Sequence, residues 1–166
     1  MTEKSYEALG VLKIAEEQER SGQAFYQEAA QAVPDENVRA LLLTLADAEA
    51  RHLQAIEEMR RGLQKAFPTF SHEDDVSDLA SRFRTVLFPE SLAANLPTTG
   101  ELDEIQVLER ARRLEEDSIK LYEEAAEKEG NPGASNVFRR LVMDERVHLY
   151  IVNRRLDLLK LRHQGA

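Results

Sequence analysis

Residues 49–52 read Glu-Ala-Arg-His, and residues 145–148 read Glu-Arg-Val-His. A single glutamate precedes each copy by thirty residues, Glu19 before the first and Glu115 before the second. Every one of these positions recurs at the same offset of 96, the distance from Glu19 to Glu115. The constant offset indicates that one helical hairpin has been duplicated. The two copies together offer four carboxylates and two imidazoles, which is the ligand set of a di-metal carboxylate site in a four-helix bundle.

Two tyrosines belong to the same repeat. Tyr26 and Tyr122 each follow the single glutamate of their copy by seven residues, which is two turns along the same helix face. We expect their hydroxyl groups to reach carboxylates of the metal site. The alternative is a pair of core tyrosines that find other hydrogen-bond partners, but the repetition favours a place beside the site.

Composition limits the class of protein. A chain of 166 residues suits one domain, here residues 1–166, with a sizeable core. The formal charge of −9 makes nucleic acid an unfavourable partner, because an acidic surface repels phosphates. The sequence contains no Cys, which excludes disulfides and thiol catalysis. It shows neither a secretory signal nor an apolar stretch that could cross a membrane, so we expect a soluble, cytoplasmic protein.

Apolar periodicity predicts an all-α protein with four long helices. The first and third helices carry matching stripes, which begin at Leu12 and Leu108. Three prolines interrupt the pattern between about residues 66 and 100, a stretch too long for a bundle turn. We expect this stretch to cross the length of the bundle, with a short helix over residues 74–84. Thr98, followed by Glu101, resembles a capping box that opens the third helix.

The position of the glutamates within the apolar stripes is the decisive feature. Glu19, Glu49, Glu115 and Glu145 all fall on buried faces, where an unpaired carboxylate is so costly that it would normally take up a proton. Two divalent cations would neutralise all four. The three-residue step in Glu-x-x-His places both side chains on one helix face, so one ion can contact both. Carboxylate oxygen with imidazole suits iron or manganese.

Residues beside these positions have less specific signals. Asp144 stands where the first copy has Ala48, and we expect it to bind a ligand histidine or to pair with Arg51, an exposed aspartate being the alternative. Small residues, Gly22 and Ser118, follow the single glutamates by one turn and would leave room for an oxidant or for close helix packing. A last set has the pattern of solvated surface groups: Glu16, Glu17, Glu116, His72 and His163.

These motifs, with the pairs Phe25-Tyr26 and Leu121-Tyr122, resemble those of the rubrerythrin branch of the ferritin-like superfamily. The resemblance covers all four helices and implies a ferritin-like four-helix bundle that binds two iron ions. It implies hydrogen bonds from the two tyrosines to ligand carboxylates. The implied iron ligands are Glu19, Glu49, His52, Glu115, Glu145 and His148.

The sequence departs from the rubrerythrin pattern in two ways. It has no Cys for the rubredoxin domain that supplies electrons in the rubrerythrins proper, so any reductant comes from another protein. Ser118 stands where those proteins have a further glutamate, which brings the ligand set closer to the six-ligand ferroxidase centre of bacterioferritins.

The expected function is the reduction of hydrogen peroxide or dioxygen at a carboxylate-bridged di-iron centre, supported by an external electron-donor protein. One alternative is a ferroxidase that oxidises ferrous iron and passes it on. Another is a structural pair of manganese or zinc ions in a bundle that serves as an interaction module. A homodimer is expected through apolar residues of the crossover, namely Phe67, Phe70, Val86, Leu87 and Phe88.

Overall fold

The computed structural model describes residues 3–66, 103–128 and 130–164, with side chains from Leu9 onward. Four helices account for nearly all of this part of the chain. They are α1 (Glu3–Ala32), α2 (Glu36–Ala66), α3 (Glu104–Lys128) and α4 (Pro132–Gln164). The prediction of an all-α, ferritin-like four-helix bundle is confirmed. Within the described residues, no helix combines the length and apolarity needed to cross a bilayer.

Side chains with a carbonyl oxygen open three of the helices. Asp35 Oδ1 accepts hydrogen bonds from the backbone of Asn37 at 2.8 Å and of Val38 at 2.9 Å, ahead of α2. Asn131 caps α4 in the same manner. Asp103 Oδ1 accepts the backbone N–H of Ile105 at 3.0 Å and thereby opens α3. Asp103 is non-helical and lies directly before the first helical residue, while Thr98 and Glu101, the predicted capping box, lie outside the described residues.

Helix order follows from contacts at the ends of the helices. Each hairpin packs most extensively within itself, α1 with α2 and α3 with α4, and the hairpins meet through α1 with α3 and α2 with α4. The backbone N–H of Asp35 donates to Glu104 at 2.9 Å, and Arg155 donates to Asp35 at 2.6 Å. The starts of α2 and α3 and the last part of α4 thus lie at one end, so neighbouring helices are antiparallel.

This arrangement makes α2 and α3 parallel, with the end of α2 and the start of α3 at opposite ends of the bundle. The predicted crossover has to join these two ends. Apart from Ala66, the predicted crossover lies outside the described residues. The same holds for the short helix predicted over residues 74–84, for His72 and for the apolar residues from Phe67 to Phe88 on which the expected dimer rests.

The apolar core consists of two clusters, one near each end of the bundle. The first includes Leu12, Ile56 and Phe138, and the second includes Leu42 and Leu108. Burying each of these side chains contributes roughly 1.5–3 kcal/mol to the free energy of unfolding. The buried acidic residues lie at the middle of the helices, between the two clusters. The clusters therefore hold four helices rigidly around a charged centre.

Asp35 gives a test of how the hairpins are joined. Backbone hydrogen bonds, first from Val38, and the guanidinium of Arg155 lower the pKa of Asp35. A lowered pKa stabilises the fold above the ordinary pKa of aspartate, and the contribution is lost as pH falls. We expect Asp35→Ala to reduce the free energy of unfolding by about 1–2 kcal/mol at pH 7, as for loss of a helix cap.

The matched variant is Asp35→Asn, which keeps the cap oxygen and loses the charge that pairs with Arg155. Urea unfolding should place its stability between those of the wild type and Asp35→Ala. The differences among the three proteins should shrink below about pH 4, where the aspartate takes up a proton. Equal stability of all three at pH 7 would show that Asp35 does not join the hairpins.

Candidate metal centre

All six predicted ligands converge at the centre of the bundle, one glutamate from each helix and one histidine from each of α2 and α4. The apolar stripe of each helix directs these side chains inward, because stripe and ligands share the helical period. The glutamates are almost completely buried, and the two histidines lie at the edge of the cluster. The ligand side chains are Glu19, Glu49, His52, Glu115, Glu145 and His148.

The candidate ligand atoms form three overlapping groups, each of which fits within 4.8 Å: a group of His52, Glu145 and His148, and two groups of four residues. One four-residue group contains Glu19 and His52 together with Glu49 and Glu145, and the other contains Glu115 and His148 together with the same two glutamates. Glu49 and Glu145 are therefore common to both. Each four-residue group has one unshared glutamate and one histidine, which is the arrangement required for two ions joined by two carboxylates.

The histidines point their Nδ1 atoms at the carboxylates. His52 Nδ1 lies 2.9 Å from Glu145 Oε1 and 3.4 Å from Glu19 Oε2. His148 Nδ1 lies 2.9 Å from Glu145 Oε2 and 3.7 Å from Glu115 Oε2. The two rings stack with centroids 5.3 Å apart. Glu145 thus lies between both imidazoles.

The pKa values follow from burial and from these contacts. Burial favours the neutral form of Glu145, but the imidazoles of His148 and His52 outweigh it and lower the pKa of Glu145 to about 2. Burial, followed by the charge of Glu19, raises the pKa of Glu49 well above its ordinary value. Burial also opposes protonation of the histidines, yet the surrounding carboxylates raise the pKa of His52 to about 12 and of His148 to about 10. Without metal, protons on both imidazoles balance part of the negative charge.

Each tyrosine reaches the single glutamate of the other repeat. The Tyr26 hydroxyl donates to Glu115 Oε1 at 2.5 Å, and the Tyr122 hydroxyl donates to Glu19 Oε1 in a short hydrogen bond. Burial, and then the charge of these glutamates, raises the pKa of both phenols, so they remain donors. The predicted contact with ligand carboxylates is therefore present, and it joins α1 to α3 in both directions.

These hydrogen bonds occupy one oxygen of each single glutamate. The other oxygens, Glu19 Oε2 and Glu115 Oε2, are buried and accept no hydrogen bond from the described residues. Leaving a buried acceptor without a partner costs roughly 1–3 kcal/mol. A divalent cation would satisfy both atoms, and a donor set of carboxylate oxygens with two imidazoles fits iron or manganese. The residues present therefore fit a pair of metal ions.

A groove of about 650 Å³ opens between α2 and α4 beside the histidines. Asp144 and Arg51 both line it, as do the two imidazole rings. Asp144 Oδ2 lies 3.9 Å from His52 Nε2, and it accepts a hydrogen bond from Arg140 at 3.2 Å. The predicted pairing of Asp144 with Arg51 is not formed, because Arg140 lies one turn before Asp144 on the same helix. The groove gives solutes a path to the outer edges of both rings.

Glu16 is a buried residue that the sequence pattern misassigned. It was expected to be solvated, but its side chain has no exposed surface and it accepts a hydrogen bond from Arg60 on α2. Arg20 lies 3.8 Å away. The available signal was its spacing, since Glu16 follows Leu12 by four residues and therefore lies on the edge of the apolar stripe. Of the other residues expected to be solvated, His163 is exposed, whereas Glu17 and Glu116 are half-buried.

The two small residues differ in their surroundings. A Cβ atom at Gly22 would lie 3.5 Å from Glu49 Cδ, so a larger side chain there would press on that glutamate. Ser118 accepts a hydrogen bond from Gln18 at 3.2 Å. The prediction of open space is supported at Gly22, where an added side chain would contact Glu49. At Ser118 the structure shows a hydrogen bond instead.

Fold and centre together define a ferritin-like bundle with a candidate carboxylate-histidine metal site. The chain belongs to the rubrerythrin family, whose sequence profile matches residues 10–156. Its structure is similar to that of a hypothetical protein from Pyrococcus furiosus, with a TM-score of 0.66 and 22% sequence identity, over 93% of this chain and 89% of that one. At this identity the likeness shows the fold alone. No curated protein matches the sequence.

The raised pKa of Glu49 predicts that the site reduces the stability of the metal-free protein. A glutamate whose pKa is higher in the folded state favours folding at low pH and opposes it as pH rises. We therefore expect Glu49→Gln to increase the free energy of unfolding of the metal-free protein by about 1 kcal/mol at pH 7, with a smaller gain in acid. Urea unfolding at pH 5 and pH 7 measures both values.

The control is Asp47→Asn, which removes an exposed charge from the same helix. This variant should leave stability within about 0.5 kcal/mol of the wild type. A metal-free Glu49→Gln protein that is less stable than the wild type at pH 7 would contradict the prediction.

Proposed function

We propose that the protein is a di-iron oxidoreductase that reduces hydrogen peroxide or dioxygen. The observation that carries this proposal is the pair of four-residue ligand groups that share Glu49 and Glu145. A single ion held by either four-residue group would leave the other unshared glutamate and the other histidine unused. Four carboxylates and two divalent ions have no net charge, which makes burial of the site tolerable.

Each ion would be held by one unshared glutamate, one histidine and the two shared glutamates. Both histidines must lose a proton to bind through Nδ1, because their pKa values in the metal-free protein lie above neutrality. Metal binding would therefore release protons. Two ferrous ions in this site would supply two electrons, which together with two protons from solvent would reduce hydrogen peroxide to two molecules of water.

The surrounding side chains orient the ligands and limit water. Tyr26 and Tyr122 fix one oxygen of each unshared glutamate and leave the other directed at the centre. Phe25 packs edge-on against Tyr26, and Phe138 stacks on Tyr122, so both phenols are held in place by aromatic contacts. A small oxidant would enter by the groove beside the histidines.

Return of the centre to the reduced state requires an external electron donor in this proposal. The 166 residues contain no Cys, and so provide no ligands for a rubredoxin-type iron centre. An electron-donor protein would have to approach the bundle surface.

The second candidate function is oxidation of ferrous iron as a substrate. It is favoured by Ser118, which bonds to Gln18 and adds no fifth carboxylate to the six-ligand set. Such a site would load iron, oxidise it and release it through the same groove. The two functions differ in the fate of the metal, since a resident centre retains two ions while a ferroxidase turns over many.

An anaerobic ferrous titration of the metal-free protein tests the centre directly. We expect two iron ions to bind per chain, and one equivalent of peroxide to produce the absorption of two ferric ions. Iron retained through repeated reduction and oxidation supports the oxidoreductase, whereas continued uptake and release of iron supports the ferroxidase. Binding of one ion or none would contradict the di-iron centre.

Replacement of one unshared ligand should separate chemistry from folding. Glu115→Ala is expected to reduce peroxide turnover by at least about 100-fold, because it removes a ligand and the acceptor of Tyr26. Circular dichroism should show that the helices remain. The matched control is Glu116→Ala, which removes the neighbouring, half-buried carboxylate and should keep turnover within about twofold. Unchanged turnover in Glu115→Ala would contradict the proposal.

A further inference from the structure

The two halves of the centre differ on the groove side of the histidines. Asp144 immediately precedes Glu145, and the equivalent position in the first repeat is Ala48. Both residues line the groove between α2 and α4. The sequence thus provides a carboxylate in one half of the groove and a methyl group in the other.

Asp144 lies beside the histidine of the other repeat. His52 directs Nδ1 towards the buried carboxylates and Nε2 towards Asp144 Oδ2, which is 3.9 Å away. The ion pairs that His148 makes within the described chain all use Nδ1. His52 therefore has a carboxylate on each side of its ring, whereas His148 has carboxylates only towards the centre.

A carboxylate behind a metal-binding imidazole has a known physical effect. It accepts the proton of the outer nitrogen, which fixes the tautomer and the ring orientation and makes the inner nitrogen a stronger donor. The distance of 3.9 Å is too long for a direct hydrogen bond but suits one bridging water or a small rotation of the ring. Arg140 bonds to the same carboxylate at 3.2 Å and holds it at the edge of the groove.

We propose that Asp144 is a positioning residue that makes the two metal positions unequal, so that the position served by His52 binds a divalent ion before the position served by His148. This inference rests on the proposed metal centre and adds an order of loading to it. Asp144 does not touch the metal in this scheme. It acts through Nε2 of His52, and no residue of the described chain does the same for His148.

The test is a cobalt(II) titration of the metal-free protein by calorimetry. We expect two binding steps in the wild type, with dissociation constants that differ by about tenfold or more. Asp144→Ala should weaken the first step by about 10- to 100-fold and bring the two steps together. Ala48→Asp, which installs the missing carboxylate in the groove, should strengthen the second step.

Exchanging Asp144 and Ala48 between the two repeats tests the order of metal binding most directly. Cobalt(II) shifts the exchangeable Nε2–H proton signal of each bound histidine in the NMR spectrum, and the His148→Gln variant assigns the two signals. The His52 signal should appear first in the wild type. In the double variant Ala48→Asp with Asp144→Ala, the His148 signal should appear first, an outcome that a merely structural role of Asp144 would not produce.

The control is Asp47→Ala, which removes an exposed carboxylate next to Ala48 and should change neither step. Two cobalt ions that bind the wild type and Asp144→Ala with the same two affinities would overturn this inference and leave the metal centre intact. Failure of the wild type to bind cobalt at all would overturn the metal centre and the order of loading together.

Discussion

The structure depends on mutual neutralisation among buried charges at the middle of the bundle. Four glutamates lie between two apolar clusters, where an uncompensated carboxylate costs several kcal/mol. In the metal-free protein, the imidazoles of His52 and His148 lie against Glu145 and carry part of the compensation. Burial keeps the pKa values of Glu49 and Glu115 raised well above the ordinary value. The bundle is therefore organised around a charge imbalance that two divalent cations would remove.

Rigidity around that centre comes from contacts between the repeats as well as within them. The tyrosine of each hairpin binds the single glutamate of the other, so neither glutamate is held only by its own helix. Asp35 adds a second link, because it caps α2 and also bonds to α3 and α4 at the end of the bundle. Such cross-connections hold the ligand groups at fixed separation, which a site for two adjacent ions requires.

The sequence could predict the four helices and all six converging residues, because the helical period and the constant offset of 96 can both be read directly from it. What it could not predict are contacts between residues whose spacing carries no common pattern. Glu16 is buried and pairs with Arg60, which is 44 positions away. The equivalent position in the second repeat is Leu156, so the repeat does not predict this pair. The pair of Arg140 and Asp144 does have a common spacing, one helical turn, but the sequence did not rank it above a pair with Arg51 on another helix. The cap at Asp103 was not predicted, because several residues before α3 have capping chemistry and only backbone geometry selects Asp103.

The duplication has been kept at the ligands and lost around them. Glu19, Tyr26, Glu49 and His52 all recur unchanged at an offset of 96, but many of their neighbours do not, among them Gln18, Gly22 and Ala48. These neighbours form the pairs Gln18 with Leu114, Gly22 with Ser118, and Ala48 with Asp144. Each pair lies beside a ligand, and in each pair one member is polar and the other is not. Helix packing accounts for only one of these differences, since a larger side chain at Gly22 would press on Glu49. Two equal metal positions would suit a pair of ions that is only held in place. In a reaction with a small oxidant, or in metal entry and exit, one position is used before the other. Such a reaction requires that the two metal positions differ, although their ligands are the same. The divergence around the ligands therefore favours a reactive centre over a purely structural one.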